Sequence, residues 1–587
     1  MAGERTIQQV LCDLEGASPD VGARFVPRKG EAAFHPYSEI LAGAKSAAVA
    51  LRDRGIRIGD RVAIILRTSK SFLETYLGCQ LAGAIPAALY PPFRLGKLDE
   101  YFTRTQRMLA KIGAKMLVTD SRVGKLVGPV TRGVESLQSA VNATDLQGDA
   151  SQWRMPDVKP DQPAFLQFSS GSTREPKAVI VTHRNLIANL EMMASVFRMF
   201  PEGHPEDGGV CWLPLYHDMG LVGCMFNGLY YPGTVNYISP EDFIVQPALW
   251  LQTISRFRGA ACAAPHFAYR LCYAKIRDEE MEGVDLSSWL LALNGAEPIE
   301  TEGMRLFQER FSKWGFRAEA MTPVYGLAEA GLAVSFSHPR EKPLVTEFDR
   351  DRLSTSGEAV PGSGRALPSV GKALPGLEIE IRDEQDRPVP SNTVGRIVVR
   401  GESITPGFFN DPELTAATIR DGWLDTGDLG FLHEGNLYIA GRARDLIIIR
   451  GRNYAPQEIE DALFDVPGVR TGCAVAVSQN VGEEGEQLIV LAEKDLRQPV
   501  PEDRLAAAIA DRIVSQLSLK PYLVQILEPG TLPRTSSGKF RRADALRMFV
   551  AGELVPPEKI NALKLFLELG KSQLAWGRFR LRGIQGS

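Results

Sequence analysis

"YSEILAGAKSAAVALRDRG" (Tyr37–Gly55), "DRVAIIL" (Asp60–Leu66), "SKSFLETYLGCQLAG" (Ser69–Gly83) and "AIPAALYPP" (Ala84–Pro92) follow one another almost without a break. The first and third carry apolar residues at helical spacing. Each ends on glycine, which adopts the left-handed turn that closes a helix at little steric cost. The second and fourth are apolar runs of strand length, and prolines close the fourth. "AKMLVTD" (Ala114–Asp120) reads as another strand. Strands alternating with helices predict parallel sheets joined by right-handed crossovers, which is an α/β fold.

Working outward, 587 residues are too many for one hydrophobic core, so at least two domains are expected. Hydrophobic residues make up 44% and charged residues 24%, the composition of an ordinary globular protein. A formal net charge of -4 argues against a nucleic-acid binder, which should carry a basic footprint. The N-terminus shows no signal peptide, and no run reaches the ~20 apolar residues of a membrane span. The seven cysteines are scattered and form no C-x-x-C pair. They read as reduced thiols of a cytoplasmic chain, without structural zinc. A monomer is expected.

From about Leu374 the pattern changes. "GLEIEIRDEQDRPVPSNTVGRIVVRG" (Gly376–Gly401) alternates strand, turn and strand, and "GWLDTGDLGFLHEGNLYIAGRARDLIIIRGRN" (Gly422–Asn453) continues in β. After Arg444 comes a compact α+β piece. The expected division is therefore a large N-terminal domain, 1–441, of stacked mixed β-sheets with helices. It includes a β-rich subdomain at about 371–441. A small mobile α+β C-terminal domain, 442–587, follows, with a helical tail at about 550–587. Between these parts, Ser335–Val370 is long, polar and rich in Pro and Gly. A loop of that length is functional, disordered or a tolerated surface insertion.

Chemistry is suggested first by "LQFSSGSTREPKAVIVTHRNL" (Leu166–Leu186). Ser169, Ser170, Ser172 and Thr173 offer hydroxyls, Gly171 lets backbone N–H groups approach an anion, and Lys177 adds charge. Together they suit a polyphosphate, although the G-x-x-x-x-G-K-[ST] spacing is absent. The alternative is an ordinary βα turn with a helix cap. A second lysine loop, "LPRTSSGKFRR" (Leu532–Arg542), has Phe540 where a P-loop needs Ser or Thr. Lys539 is there either a mobile cation presented to substrate or part of a solvated basic patch.

Four more motifs place one aromatic or acidic residue among small ones. They are "WLPLYHDMGL" (Trp212–Leu221), "NGAEPI" (Asn294–Ile299), "PVYGLAEAGL" (Pro323–Leu332) and "WLDTGDLG" (Trp423–Gly430). A flat ring such as Tyr325 can stack a purine, Asp428 can bridge ribose hydroxyls, and Glu329 can hold magnesium through oxygen. Taken singly, Tyr325 could equally be core and His217 a structural histidine.

In this order, the motifs resemble the adenylate-forming superfamily of acyl-CoA synthetases, nonribosomal-peptide adenylation domains and luciferases, from about Pro36 to Arg542. "LYPPF", "WLPLYHDMGLVG", "APHFAYRLC", "NGAEP", "YGLAEAGL", "DLIIIRGRNYAPQEIE" and the insertion with "FDRDRL" most resemble its fatty acyl-AMP ligase branch. The resemblance implies ATP and magnesium, a fatty acid substrate, and delivery of the acyl group to an acyl carrier protein. It also implies that the insertion disfavours turnover with coenzyme A. Two departures stand out. Ala178 replaces the glycine of P-K-G, which is harmless unless a positive φ is needed there. Val370-Gly371 replaces Cys-Gly.

The resemblance also assigns roles. Ser169–Thr173 and Lys177 would hold the departing phosphates, and Glu329 the metal. Tyr325 and Gly326 would bind adenine, with Asn294, Gly295, Ala296 and Glu297 along its edge. Asp428 and Arg442 would clamp the ribose. Lys539 would bridge the α-phosphate and the attacking carboxylate, with Thr173, His217 and Glu329 completing the catalytic set. The acyl pocket would start at Met219, Gly220, Val222, Met225 and Phe226, with His266 and Phe267 on another wall, although a core reading fits these residues equally. Arg444 occupies the hinge position. The competing readings are a long- or medium-chain acyl-CoA synthetase and a non-catalytic acyl- or nucleotide-binding homologue.

Overall fold

The computed structural model describes residues 4–92, 98–169, 176–199, 208–449, 452–480, 486–535 and 539–556. The opening stretch folds as two helices, Tyr37–Asp53 and Lys70–Ala82, and two strands, Arg61–Ile65 and Ile85–Ala88. Ser69 caps the second helix by accepting from the Phe72 N–H, and Gly83 closes it at φ +75°. The strands pair in parallel, and Met116–Thr119 and Ser139–Asn142 extend them into a four-stranded parallel sheet.

A nine-stranded sheet forms the centre of the N-terminal domain. Six neighbouring strands run parallel: Gly22–Phe25, Val235–Tyr237, Gly209–Cys211, Ala261–Pro265, Leu291–Gly295 and Met321–Gly326. Three antiparallel strands complete it: Ala33–Pro36 at one edge, and Ala333–Phe336 then Lys372–Ala373 at the other. The parallel strands place their carboxyl ends side by side. Pro265–His266, Gly295–Ala296 and Tyr325–Gly326 all lie along that one rim, where open α/β sheets commonly bind ligands.

The lysine loop of the first motif is built differently from a βα turn. Pro163–Ser169 and Lys177–Thr182 form an antiparallel hairpin, with Ser169 opposite Lys177. The helix His183–Phe197 begins only after the second strand, and Thr182 caps it. Ala178 is fully buried in that strand and is not among the residues with positive φ.

The β-rich part is a five-stranded antiparallel sheet of Leu377–Arg382, Gly395–Gly401, Ile419–Arg420, Trp423–His433 and Asn436–Arg442. The insertion is an ordered unit rather than a bare loop. Val345–Asp349 pairs with Gly364–Pro368 around the short helix Arg350–Thr355. Phe348 anchors it, 5.0 Å from the ring of Phe431 and 5.3 Å from that of Tyr438.

The C-terminal domain has its own core around Ile459, Val490, Leu505 and Ile509. Val469–Asn480, Glu486–Lys494 and Leu523–Leu527 make its three-stranded sheet. The helix Arg542–Val550 follows; of the expected helical tail, 551–556 form a turn and irregular backbone, and 557–587 lie outside the described residues.

Candidate active site

Lys539 lies 243 residues from the strand end it meets. Its Nζ donates to the Ala296 carbonyl at 2.5 Å. The loop that carries it is closed by two bonds: Thr535 N–H to the Lys539 carbonyl at 2.7 Å, and Lys539 N–H to Thr535 Oγ1 at 3.1 Å. Burial lowers the Lys539 pKa and nearby Arg442 lowers it further, while Glu297, Asp218 and Asp428 pull the other way. One ammonium therefore faces three carboxylates from three separate motifs, and the guanidinium of Arg442.

Each motif fixes its residue by backbone geometry. Ala296 sits at φ +65°, a left-handed conformation that costs energy for any residue but glycine. Next to it, a Cβ on Gly295 would stand 2.7 Å from the Val324 carbonyl oxygen, so only glycine fits between these two strands. The sheet register shifts between Tyr325 and Gly326. The Tyr325 hydroxyl donates to Asp428 Oδ2 at 2.7 Å, and Arg442 Nε donates to Asp428 Oδ1 at 3.0 Å. Asp428 is opposite Arg442 in the antiparallel pair, which explains why the two meet.

A second group faces the hairpin. Glu329 is raised above the ordinary carboxylate range by burial and by Asp218, with Lys177 and Arg442 opposing. Lys177 is lowered by burial and then by Arg444, while Glu329 and Asp411 raise it. Lys177, Arg442 and Arg444 thus form a cationic face beside one half-buried carboxyl. His217 Nδ1 lies 2.5 Å from Asp218 Oδ1, which also accepts the Met219 N–H at 2.8 Å. Burial would raise Asp218, but His217, Lys539 and that N–H hold it low.

The structure thus brings Lys177, His217, Gly295, Ala296, Glu297, Tyr325, Gly326, Glu329, Asp428, Arg442 and Lys539 to one rim. Ser169 stands at the hairpin end opposite Lys177. Ser170, Gly171, Ser172 and Thr173 lie outside the described residues. Asn294 is fully buried behind the rim, its Nδ2 3.2 Å from His266 Nδ1. Asp218 and Arg444 as a cation were missed as site residues. The only signal for Asp218 was its place next to His217.

The residues expected to start the acyl pocket are mostly buried. Met219–Phe226 is a π-helix, a wider turn that changes which side chains share a face. Val222, Met225 and Phe226 turn into the main core, where the Phe226 ring lies 6.0 Å from Phe165 and 5.9 Å from Tyr76. Met219 is buried as well, and Gly220 is a packing glycine whose Cβ would stand 2.3 Å from the Pro214 carbonyl oxygen. Gly223, Cys224 and Asn227 keep partial accessibility. Phe267 is half-buried, and its N–H donates to Glu297 Oε1 at 2.5 Å. His266 belongs to a polar chain rather than to an apolar wall.

A model of the AMP-binding enzyme family matches residues 22–409. This chain belongs to that family. Among its relatives, the long-chain-fatty-acid–AMP ligase FadD26 of Mycobacterium marinum is 33% identical, the match covering 87% of this chain and 91% of that protein. The medium-chain-fatty-acid–[acyl-carrier-protein] ligase JamA of Moorena producens is 32% identical over 88% of this chain and 90% of its own. A solved structure from work on fatty acyl-adenylate ligases of E. coli and L. pneumophila superposes with a TM-score of 0.86. It is 35% identical and covers 94% of this chain and 99% of that one. The chain is an adenylate-forming ligase of the fatty acyl-AMP ligase branch. Among the described residues, no helix is long and apolar enough to cross a membrane.

Proposed function

We propose that this adenylate-forming ligase activates a fatty acid with ATP, releasing pyrophosphate, and passes the acyl group to the phosphopantetheine thiol of an acyl carrier protein. The observation that carries this reading is Lys539 on the Ala296 carbonyl, among Asp218, Glu297, Asp428 and Arg442. A fatty carboxylate is already ionised and needs no general base. The difficulty is bringing two anions together while charge builds on the α-phosphate. Positioned cations meet that difficulty directly.

In this reading Lys539 leaves the Ala296 carbonyl for the α-phosphate and the incoming carboxylate. The carboxylate oxygen bonds to the α-phosphorus as the bond to the bridging oxygen breaks, and pyrophosphate carries away the electron pair. Lys177, Arg442 and Arg444 offset its charge, together with Ser169 at the hairpin end opposite Lys177. Tyr325 and Gly326 take the adenine, and Asp428 and Arg442 clamp the ribose. Glu329 fits a magnesium site because it is a half-buried carboxyl beside Lys177 and Arg442, the cations proposed for the phosphates. Magnesium there usually needs only one or two carboxylates plus phosphate oxygens. When bound, it would neutralise charge on the leaving pyrophosphate.

Transfer then requires the C-terminal domain, 442–587, to turn away about Arg444. The insertion favours a carrier protein over coenzyme A because it grips that domain. Arg452 Nη1 lies 2.9 Å from Asp351 Oδ1, and Arg365 and Arg350 lie 3.6 Å and 3.8 Å from Glu458 Oε1. The test is to supply fatty acid and ATP with either coenzyme A or a phosphopantetheinylated carrier protein. Acylated carrier supports the reading, and rapid acyl-CoA formation replaces it with an acyl-CoA synthetase.

A further inference from the structure

Arg270 projects from the helix His266–Lys275, and the chemistry above does not use it. Its Nη1 lies 2.7 Å from Asp461 Oδ1 and 3.2 Å from Glu300 Oε2. Its guanidinium carbon lies 3.3 Å from the ring centroid of Phe464. Asp461 and Phe464 belong to the C-terminal domain, and Arg270 and Glu300 to the N-terminal one. On the far side of Glu300, 4.0 Å away, is His266 Nε2, a buried nitrogen without a hydrogen-bond partner among the described residues. The other ring nitrogen of His266 meets Asn294.

A line of polar groups therefore runs from Asp461 through Arg270, Glu300 and His266 to Asn294. The segment 294–300 that receives it is the same one that accepts Lys539 at Ala296. The C-terminal domain thus meets this segment directly at Ala296, through Lys539, and indirectly at Glu300, through Arg270. A guanidinium only 10% exposed that lost Asp461 would leave a nearly buried charge short of a partner, which is costly. The stacking of Phe464 on its face adds attraction that depends on the same docking.

We propose that Arg270 is a positioning residue that seats the C-terminal domain in the orientation that delivers Lys539, and that acyl transfer does not need it. The inference rests on the adenylate-forming reading. It differs from the insertion's grip, which engages Arg452 and Glu458 rather than Asp461.

Two variants test it: Arg270→Met, which keeps the stem, and Asp461→Asn in the other domain. Each should lower kcat for pyrophosphate release by on the order of 10–10²-fold, the effect of a misplaced catalytic group. KM for ATP should change little, and combining the two should cost no more than either alone. Transfer from synthetic acyl-adenylate to the carrier protein should keep its wild-type rate, and Arg270→Lys should recover part of the first step. Hydrogen exchange should quicken across 456–464 and 294–300 but not in the helix Glu502–Leu517. Equal losses in both half-reactions, additive losses, or wild-type kinetics with unchanged exchange would overturn the proposal. If the wild-type chain makes no acyl-adenylate, the functional reading fails, and the exchange comparison still decides whether Arg270 seats the domain.

Discussion

Lys539 meets its partners only because the fold returns the end of the chain to a strand terminus. Replacing it with alanine removes a preorganised cation, a change that commonly costs ~10²–10³ in rate. Lys539→Ala should therefore lose acyl-adenylate formation by about that factor while still binding ATP in a direct titration. Unchanged pyrophosphate release would remove Lys539 from the chemistry. The pH dependence follows from Lys539. It is proposed to act when protonated and is held below the ordinary lysine range, so kcat/KM for ATP should start to fall with rising pH below that range. Lys539→Arg should move this alkaline limb upward. An alkaline limb left in place would show that another group titrates there. At this scale the sequence was informative wherever a side chain announces its chemistry beside small residues, as with Glu329, Asp428 and Lys539. It was silent on Arg270 and Asp461, whose meaning depends on a partner 191 residues away.

The insertion belongs to the scale of elements. It reads as a polar loop because its strand Val345–Asp349 buries only Phe348, so no run of apolar residues marks it. Its order comes from a few aromatic contacts and from ion pairs to the C-terminal domain. Phe348→Ala should cost about 3–5 kcal/mol of local stability, the usual range for a buried phenylalanine. Faster hydrogen exchange confined to 345–368 would report it, and unchanged exchange would mean that the hairpin is held otherwise. Cutting the grip instead, with Glu458→Ala and Asp351→Ala together, should raise acyl-CoA yield when coenzyme A is supplied. No rise would mean that the insertion does not restrain the acceptor. The helices Tyr37–Asp53 and Lys70–Ala82 and the strands Arg61–Ile65, Ile85–Ala88 and Met116–Thr119 were legible because their periodicity is local. The lysine hairpin was not, since strand–turn–strand and strand–turn–helix share the same hydroxyl-rich turn. The π-helix was not either, because periodicity assumes 3.6 residues per turn.

Over the whole molecule, the C-terminal domain is closed on the sheet rim, with Lys539 on the Ala296 carbonyl. Arg542 Nη1 lies 3.2 Å from Asp445 and Nη2 lies 2.6 Å from Glu460, so the segment after Lys539 is tied to the residue beside the proposed hinge. A hinge must absorb a large backbone change, which proline at 444 would forbid. Since Arg444 also faces Lys177, Arg444→Ala serves as the control for lost charge. Arg444→Pro should match the alanine variant in acyl-adenylate formation and fall far below it in transfer. Matching losses in transfer would place the hinge elsewhere. The family resemblance made the two-domain plan and the order of motifs legible. The ion pairs that close the domains were not, because each joins residues distant in sequence.

The most direct measurement combines mass spectrometry with a loading assay. The wild-type chain is given a mixed fatty-acid pool, ATP and magnesium, then split between coenzyme A and a phosphopantetheinylated carrier protein. The expected result is acyl-adenylate with equimolar pyrophosphate, followed by acylated carrier and little acyl-CoA. Absence of acyl-adenylate, or its rapid conversion to acyl-CoA, would contradict it.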